Sequence, residues 1–153
     1  MAVKVKLGLA CEIAGLEKQQ FNQAVHEGHY SCAPAVAQGG TRLFEINDLI
    51  ALFIFARLRQ NGMSVAGSGE WACKIRALID DPKFDEAAAT ANVVITPKRI
   101  HFQIAGKFSP AAKSFKGEPA IFSASWAISG IRQLILDEID AYKKRPPDSE
   151  VIG

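Results

Sequence analysis

The side chains whose type and spacing point to chemistry gather first at Lys18, Gln19, Asn22 and Gln23. Positions three and four apart share one face of a helix, so these four would stand together on a polar outer surface. A carboxamide carries donor and acceptor in one plane and pairs with two edge groups of adenine in the major groove, while a lysine reaches guanine or a phosphate. The same residues also make an ordinary solvated face. His26 and His29 follow closely; contact with a phosphate backbone and plain solvation are both open to them. Arg42 is the sharpest single candidate. A guanidinium on a projecting hairpin pairs with a phosphate and fixes register without reading sequence; the alternative is an ion pair with Glu45 or Asp48. A second basic run, Lys98, Arg99, Lys107, Lys113 and Lys116, falls in a stretch with no Asp or Glu between Asn92 and Gly117. It would extend a phosphate footprint, hold another anionic ligand, or form a solvated hairpin tip and loop.

Other chemistries find less support. His26, His29 and Cys32 are close enough to raise a metal site, but no second pair of ligands matches them. The cysteines, Cys11, Cys32 and Cys73, form no CxxC pair, and their odd number argues against a disulfide framework. Cys11 and Cys73 fall in helical stretches and read as small buried hydrophobes; Cys32 falls in a loop-like stretch. Gly39-Gly40 and Gly67-Ser68-Gly69 lack the ending of a phosphate-cradling loop, and no Gly-x-Ser-x-Gly elbow occurs. Asp80, Asp81, Asp85 and Glu86 have no histidine partner and read as a solvated linker. The expectation is a protein that is not an enzyme and needs no cofactor.

The whole chain sets broad bounds. Of its 153 residues, 48% are hydrophobic and 22% charged, which suits a globular protein with a real core. The formal net charge of +2 neither demonstrates nor excludes a nucleic-acid partner. Lys4 and Lys6 are followed by no long apolar run before Glu12, so no signal peptide is expected. The apolar stretch Leu49 to Ala56 is too short to cross a bilayer. A cytoplasmic protein without membrane contact is expected.

The elements that must position these residues follow from periodicity. Leu7, Leu9, Ala10, Ile13 and Ala14 carry a helical apolar rhythm that Gly15 ends. Glu17 to His26 is a second helix, with Phe21 and Val25 on its inner face. Ser31 to Gly40 reads as a loop or hairpin tip, and Thr41 to Phe44 as a short extended piece. A strongly apolar helix runs from Asn47 or Asp48 to about Gln60, and another from Glu70 to Ile79, preceded by an irregular Gly67-Ser68-Gly69. Asp80-Asp81-Pro82 stops that helix and marks a boundary. Ala91 to Thr96 and Ile100 to Ile104 form a hairpin around Pro97-Lys98-Arg99. Phe108 to Pro119 reads as a loop. A last helix runs from about Ser125 to Lys144, with Ile128, Ile131, Ile135, Ile139 and Tyr142 in one stripe. The stripe either pairs with its twin across a two-fold axis or packs on the hairpin of its own chain.

From Val5 to Ala66, about two-fifths of the chain, the sequence resembles the winged helix-turn-helix of the MerR regulator family. Ala10 matches the alanine of the family's first helix, Ala14-Gly15-Leu16 its turn, and Phe21 an apolar position of the second helix. Glu27-Gly28 falls at the end of that helix. Gly40-Thr41-Arg42-Leu43-Phe44 resembles the wing, Asp48-Leu49 the start of the third helix, and Gly62-Met63-Ser64-Val65 the opening of the fourth. No insertion or deletion is needed. The chain departs from the family at Asn22-Gln23-Ala24, where Arg-Tyr-Tyr is usual, at His29 and at Thr41. It also lacks the family's long dimerising helix where that is expected, and the cysteine cluster of the metal-sensing members.

The resemblance implies an α+β protein: a winged helix-turn-helix over residues 1–80, then an αβ region over 81–153, with a β-hairpin and a C-terminal helix, that dimerises or receives a signal. It implies a sequence-specific transcription regulator on double-stranded DNA, acting as a homodimer, with Lys18, Gln19, Asn22, Gln23, His26, Arg42, Lys98 and Arg99 in contact. No small-molecule effector can be named. Two other readings stand beside it: an excisionase-like architectural protein of a mobile element, and a protein-interaction module that kept the fold and lost DNA binding.

Overall fold

The computed structural model describes residues 3–105, 114–115 and 117–146. It is an α+β protein: among the described residues, three helices pack on one central helix, and a three-stranded sheet joins them. Strand β1 (Val5–Lys6) leads directly into helix α1 (Leu7–Ala14). Gly15 ends α1 in the left-handed conformation, φ 76°, which glycine adopts without the β-carbon clash of other residues. The Gly15 and Leu16 N–H groups close the turn on the Cys11 carbonyl, both at 2.9 Å. Helix α2 (Lys18–His26) starts at a reciprocal capping box: the Glu17 side chain accepts from the backbone of the third helical residue, and the Gln20 side chain accepts from Glu17 N–H at 3.0 Å.

A hairpin follows. Val36 bridges Arg42, and the tip is closed by Ala37 N–H to the Thr41 carbonyl (2.7 Å) and Gly40 N–H to the Ala37 carbonyl (3.0 Å). Its outgoing limb continues as β2 (Leu43–Phe44), which pairs antiparallel with β1. Helix α3 (Ile46–Gln60) is buried on nearly every side, from Leu49 to Ala56 without a break. Such a helix is the core of its fold rather than an amphipathic surface element.

Helix α4 runs over Val65–Asp80 and not from Glu70 as the residues suggest. Ser64 caps it, accepting from Gly67 N–H at 3.1 Å, so Gly67-Ser68-Gly69 lie inside the helix. The glycine at 69 marks a close approach and not a break: a β-carbon there would lie 1.7 Å from the His29 carbonyl oxygen.

Strands β3 (Thr90–Ile95) and β4 (Ile100–Ala105) form the expected hairpin, in register Ile95 to Ile100. A third strand, β7 (Phe122–Ala127), pairs with the other side of β3 and gives the order β4-β3-β7. The short pieces β5 (Ser114–Phe115) and β6 (Glu118–Pro119) pair with each other, within a stretch read as loop; the rest of that reading, Phe108 to Lys113 and Lys116, lies outside the described residues. Helix α5 (Ile128–Lys143) starts later than its sequence suggests, because Ser125 to Ala127 complete β7. Cross-strand pairing overrides local pattern here: Ser125 faces Asn92, and its hydroxyl donates to the Asn92 side-chain oxygen.

The α5 stripe is covered within its own chain, chiefly by α3. Ile128, Ile131, Ile135 and Ile139 are buried within the chain, with α3 as the helix they pack on. They join one continuous buried cluster that begins at Val5. Polar contacts also cross the Asp80-Asp81 boundary. Arg132 donates two bonds to the Glu86 carboxylate, both 2.7 Å, and one to Asn47 at 2.6 Å. Arg145 reaches back to Glu12 at 3.1 Å.

The cysteine reading is corrected as well. Cys32 and Cys73 are joined by a disulfide across 41 residues, with α-carbons 5.4 Å apart, and only Cys11 remains as a buried thiol. Burial pushes that thiol up to about 11. The pairing depends on the face that α4 turns to the segment after α2, and spacing along the chain carries no trace of it. Among the described residues no helix is long and apolar enough to cross a membrane.

Candidate nucleic-acid interface

The outer face of α2 is set by what its inner face buries. Phe21 and Ala24 are the buried residues of this helix. The Phe21 ring lies edge-on to Tyr30 (5.3 Å) and Phe44 (5.6 Å), and Tyr30 lies edge-on to Phe55 of α3 (5.2 Å). This chain of four rings ties α2, the turn after it, β2 and α3 together. Burial raises the Tyr30 hydroxyl far above the usual tyrosine range, so it stays neutral. At about 100° per residue, Lys18, Gln19, Asn22, Gln23 and His26 then fall in one arc opposite Phe21 and Ala24, and all five are exposed.

The turn before α2 is fixed from the far end of α3. Arg57 donates to the Ala14 carbonyl at 3.2 Å and Gln60 to the Gly15 carbonyl at 3.3 Å. Arg57 also lies over the Phe53 ring, 4.1 Å from its centre, and burial lowers its affinity for the proton. No local motif announces this clamp, since its partners are 43 and 45 residues apart.

The members of the face are not equivalent. The Gln23 amide donates to the Glu27 carboxylate at 2.9 Å, which directs it along the helix. Gln19 and Asn22 sit nearer the middle of the arc. His26 lies in the last turn of the helix.

Arg42 is half-buried at the base of the hairpin, and its guanidinium donates to the Pro34 carbonyl. Neither of the partners expected from sequence takes it. Asp48 is bound by Arg76 at 2.8 Å and caps the Glu45 backbone at 2.9 Å. A guanidinium has five N–H donors, so the contact with Pro34 leaves capacity for a phosphate.

Lys98 and Arg99 are exposed in the β3–β4 turn. This turn lies near the end of α3: Ile100 Cδ1 is 3.3 Å from the point where a β-carbon on Gly62 would stand. The hairpin with Arg42 precedes the other end of α3, which at 15 residues spans roughly 22 Å. The fold thus gathers the five α2 residues on one face and places Arg42 and the Lys98–Arg99 pair near opposite ends of α3. The run that looks free of acid in sequence also acquires one. Glu118 folds back onto the turn and accepts from the Thr96 hydroxyl at 2.8 Å. That bond, helped by the charges of Lys98 and Arg99, lowers its carboxyl below the usual range. Lys107, Lys113 and Lys116 lie outside the described residues.

Among the described residues no group of three possible ligands could hold a metal ion, and Cys32, one member of the triplet considered for zinc, is bonded to Cys73. No protein-family model matches the chain, and no curated protein matches it either.

Proposed function

We propose that this protein is a sequence-specific DNA-binding transcription regulator whose first eighty residues act as a MerR-like winged helix-turn-helix. The observation that carries the reading is the exposed arc of Lys18, Gln19, Asn22, Gln23 and His26 on a short helix that follows a glycine turn and precedes an arginine-bearing hairpin. In this role α2 enters the major groove, Gln19 and Asn22 read base edges, and Lys18 and His26 contact the backbone. Arg42 holds a phosphate from the hairpin. Lys98 and Arg99 extend the footprint beyond the far end of α3. The protein acts as a homodimer, since one small module makes few contacts; the α5 isoleucines are occupied within the chain, so pairing uses another surface.

The test is a titration of fluorescent DNA, from the region upstream of the protein's own gene, at two salt concentrations with unrelated competitor present. Tight binding that survives competitor and weakens steeply with salt is expected. No binding to this or to pooled genomic DNA would transfer the reading to a protein-interaction module, and tight binding that ignores sequence to an architectural protein. Arg42→Ala is expected to weaken binding to all sequences alike, by about fivefold for one lost hydrogen bond of roughly 1 kcal/mol. Gln19→Ala and Asn22→Ala are expected to reduce discrimination between sequences, by about 1–3 kcal/mol where a paired contact is lost. Unchanged DNA affinity in Arg42→Ala at moderate salt would remove the hairpin from the interface.

A further inference from the structure

We propose that the Cys32–Cys73 bond is a reversible redox latch that sets the mobility of the Arg42 hairpin, and through it the strength of DNA binding. The DNA consequence rests on the function proposed above; the latch itself does not.

The bond sits at a junction. Cys32 lies between the end of α2 at His26 and the hairpin that opens at Val36, and Cys73 projects from α4. One turn earlier on the same face of α4, Gly69 meets the His29 carbonyl. The segment after α2 is therefore held to α4 twice, sterically at His29 and covalently at Cys32. Two residues past Cys32, the Pro34 carbonyl receives the Arg42 guanidinium. A continuous line of contacts thus runs from α4 through the disulfide to the base of the hairpin. Breaking the bond leaves Tyr30 with its ring contacts to Phe21 and Phe55. It frees residues 31–36, which carry no other covalent tie and none of which is fully buried.

The local chemistry suits exchange. Cys32 and Cys73 are each only partly buried, as exchange with a small thiol requires. The Cys32 backbone N–H points at Cys73 Sγ, 3.2 Å away, and would stabilise a thiolate there. A glutathione thiolate attacks Cys32 Sγ and forms a mixed disulfide; the Cys32–Cys73 bond breaks, and its electron pair leaves on Cys73, which takes a proton from water. A second glutathione thiolate attacks the glutathione sulfur of the mixed disulfide. It releases Cys32 as a thiolate and leaves one glutathione disulfide, so two electrons pass from two thiols to the protein bond. Cys11 does not compete. It is buried, and at neutral pH its high proton affinity keeps it a thiol. In a reducing compartment such bonds serve as transient sensors rather than as staples.

The experiment equilibrates the full chain in glutathione buffers of graded ratio. Alkylation after unfolding counts thiols, and amide hydrogen exchange is followed over residues 31–42. The oxidised protein should show one thiol and the reduced protein three. Exchange in 31–42 should rise about tenfold on reduction and return on reoxidation, while exchange in α3 stays slow. The double variant C32S/C73S should match the reduced protein in every buffer. Affinity for the DNA of the preceding section should fall several-fold with the same midpoint. Exchange that ignores the redox state, a bond that forms in no buffer, or global unfolding on reduction would each overturn the latch. Equal DNA affinity in both states would overturn its regulatory role. Redox-dependent exchange with no DNA binding in either state would sustain the latch and remove the DNA reading.

Discussion

Gly69→Ala is expected to destabilise the protein by about 3 kcal/mol or more, at the upper end of overpacking costs. The new methyl carbon would sit 1.7 Å from the His29 carbonyl oxygen and 2.8 Å from its carbon. Both are backbone atoms, so no side chain can turn aside. Relief requires α4 and the segment after α2 to separate, yet Tyr30 is fixed among aromatic rings on one side and Cys32 is bonded to Cys73 on the other. The intrinsic preference of alanine for a helix interior, worth up to about 1 kcal/mol, acts in the opposite direction and is the smaller effect. Gly130→Ala supplies the comparison: it is exposed within α5, the nearest atom to its β-carbon would be 3.6 Å away, and a gain of up to about 1 kcal/mol is expected. Urea unfolding measured on both variants tests the pair. Equal midpoints for the two would mean that α4 does not approach His29 as described.

Phe21→Ala is expected to cost about 4 kcal/mol, within the range for a large aromatic removed from a core. Its ring is fully buried and shares edges with Tyr30 and Phe44. The cavity would open between α2, β2 and the turn after α2, where the two-residue strand and the nine-residue helix have little else to collapse with. For a chain of this size the thermal midpoint should drop by roughly 10 °C. The consequence for the proposed interface is specific. Gln19 and Asn22 keep their chemistry, but the helix that aims them loses its main anchor, so discrimination between DNA sequences should fall even where the variant remains folded. A melting curve beside a titration of cognate and unrelated DNA checks both. A midpoint within a degree or two of the parent would show that the rings do not hold α2.

Much of this arrangement is legible from local pattern. The apolar rhythm of Leu9, Ala10, Ile13 and Ala14, the glycine after it, and the opposition of Phe21 to Asn22 and Gln23 lie within a few residues of each other, and one helical turn suffices to express them. The β3–β4 hairpin is equally local, since alternation and the Pro97-Lys98-Arg99 turn specify its register. The α4 start was not legible, because Gly67 and Gly69 read as breakers by propensity, while the reason for Gly69 is a backbone 40 residues upstream. For the site, sequence places five side chains on one helix face and an arginine on a hairpin. It does not show that Gln23 turns to Glu27, that Arg42 reaches Pro34, or that Glu118 returns to the basic turn.

The sequence alone determined which residues of this protein form the α1–α2 pair, the polar face of α2, the central apolar helix and the β3–β4 hairpin, because each depends on periodicity and turn chemistry between near neighbours. Tertiary structure alone decided that α3 covers the α5 isoleucines, that Phe122 to Ala127 become a third strand, and that Cys32 meets Cys73. Each of these is a contact between distant segments, and its free energy exists only once the intervening chain has folded. An amphipathic stripe states that it must be buried, and only the assembled fold supplies what buries it.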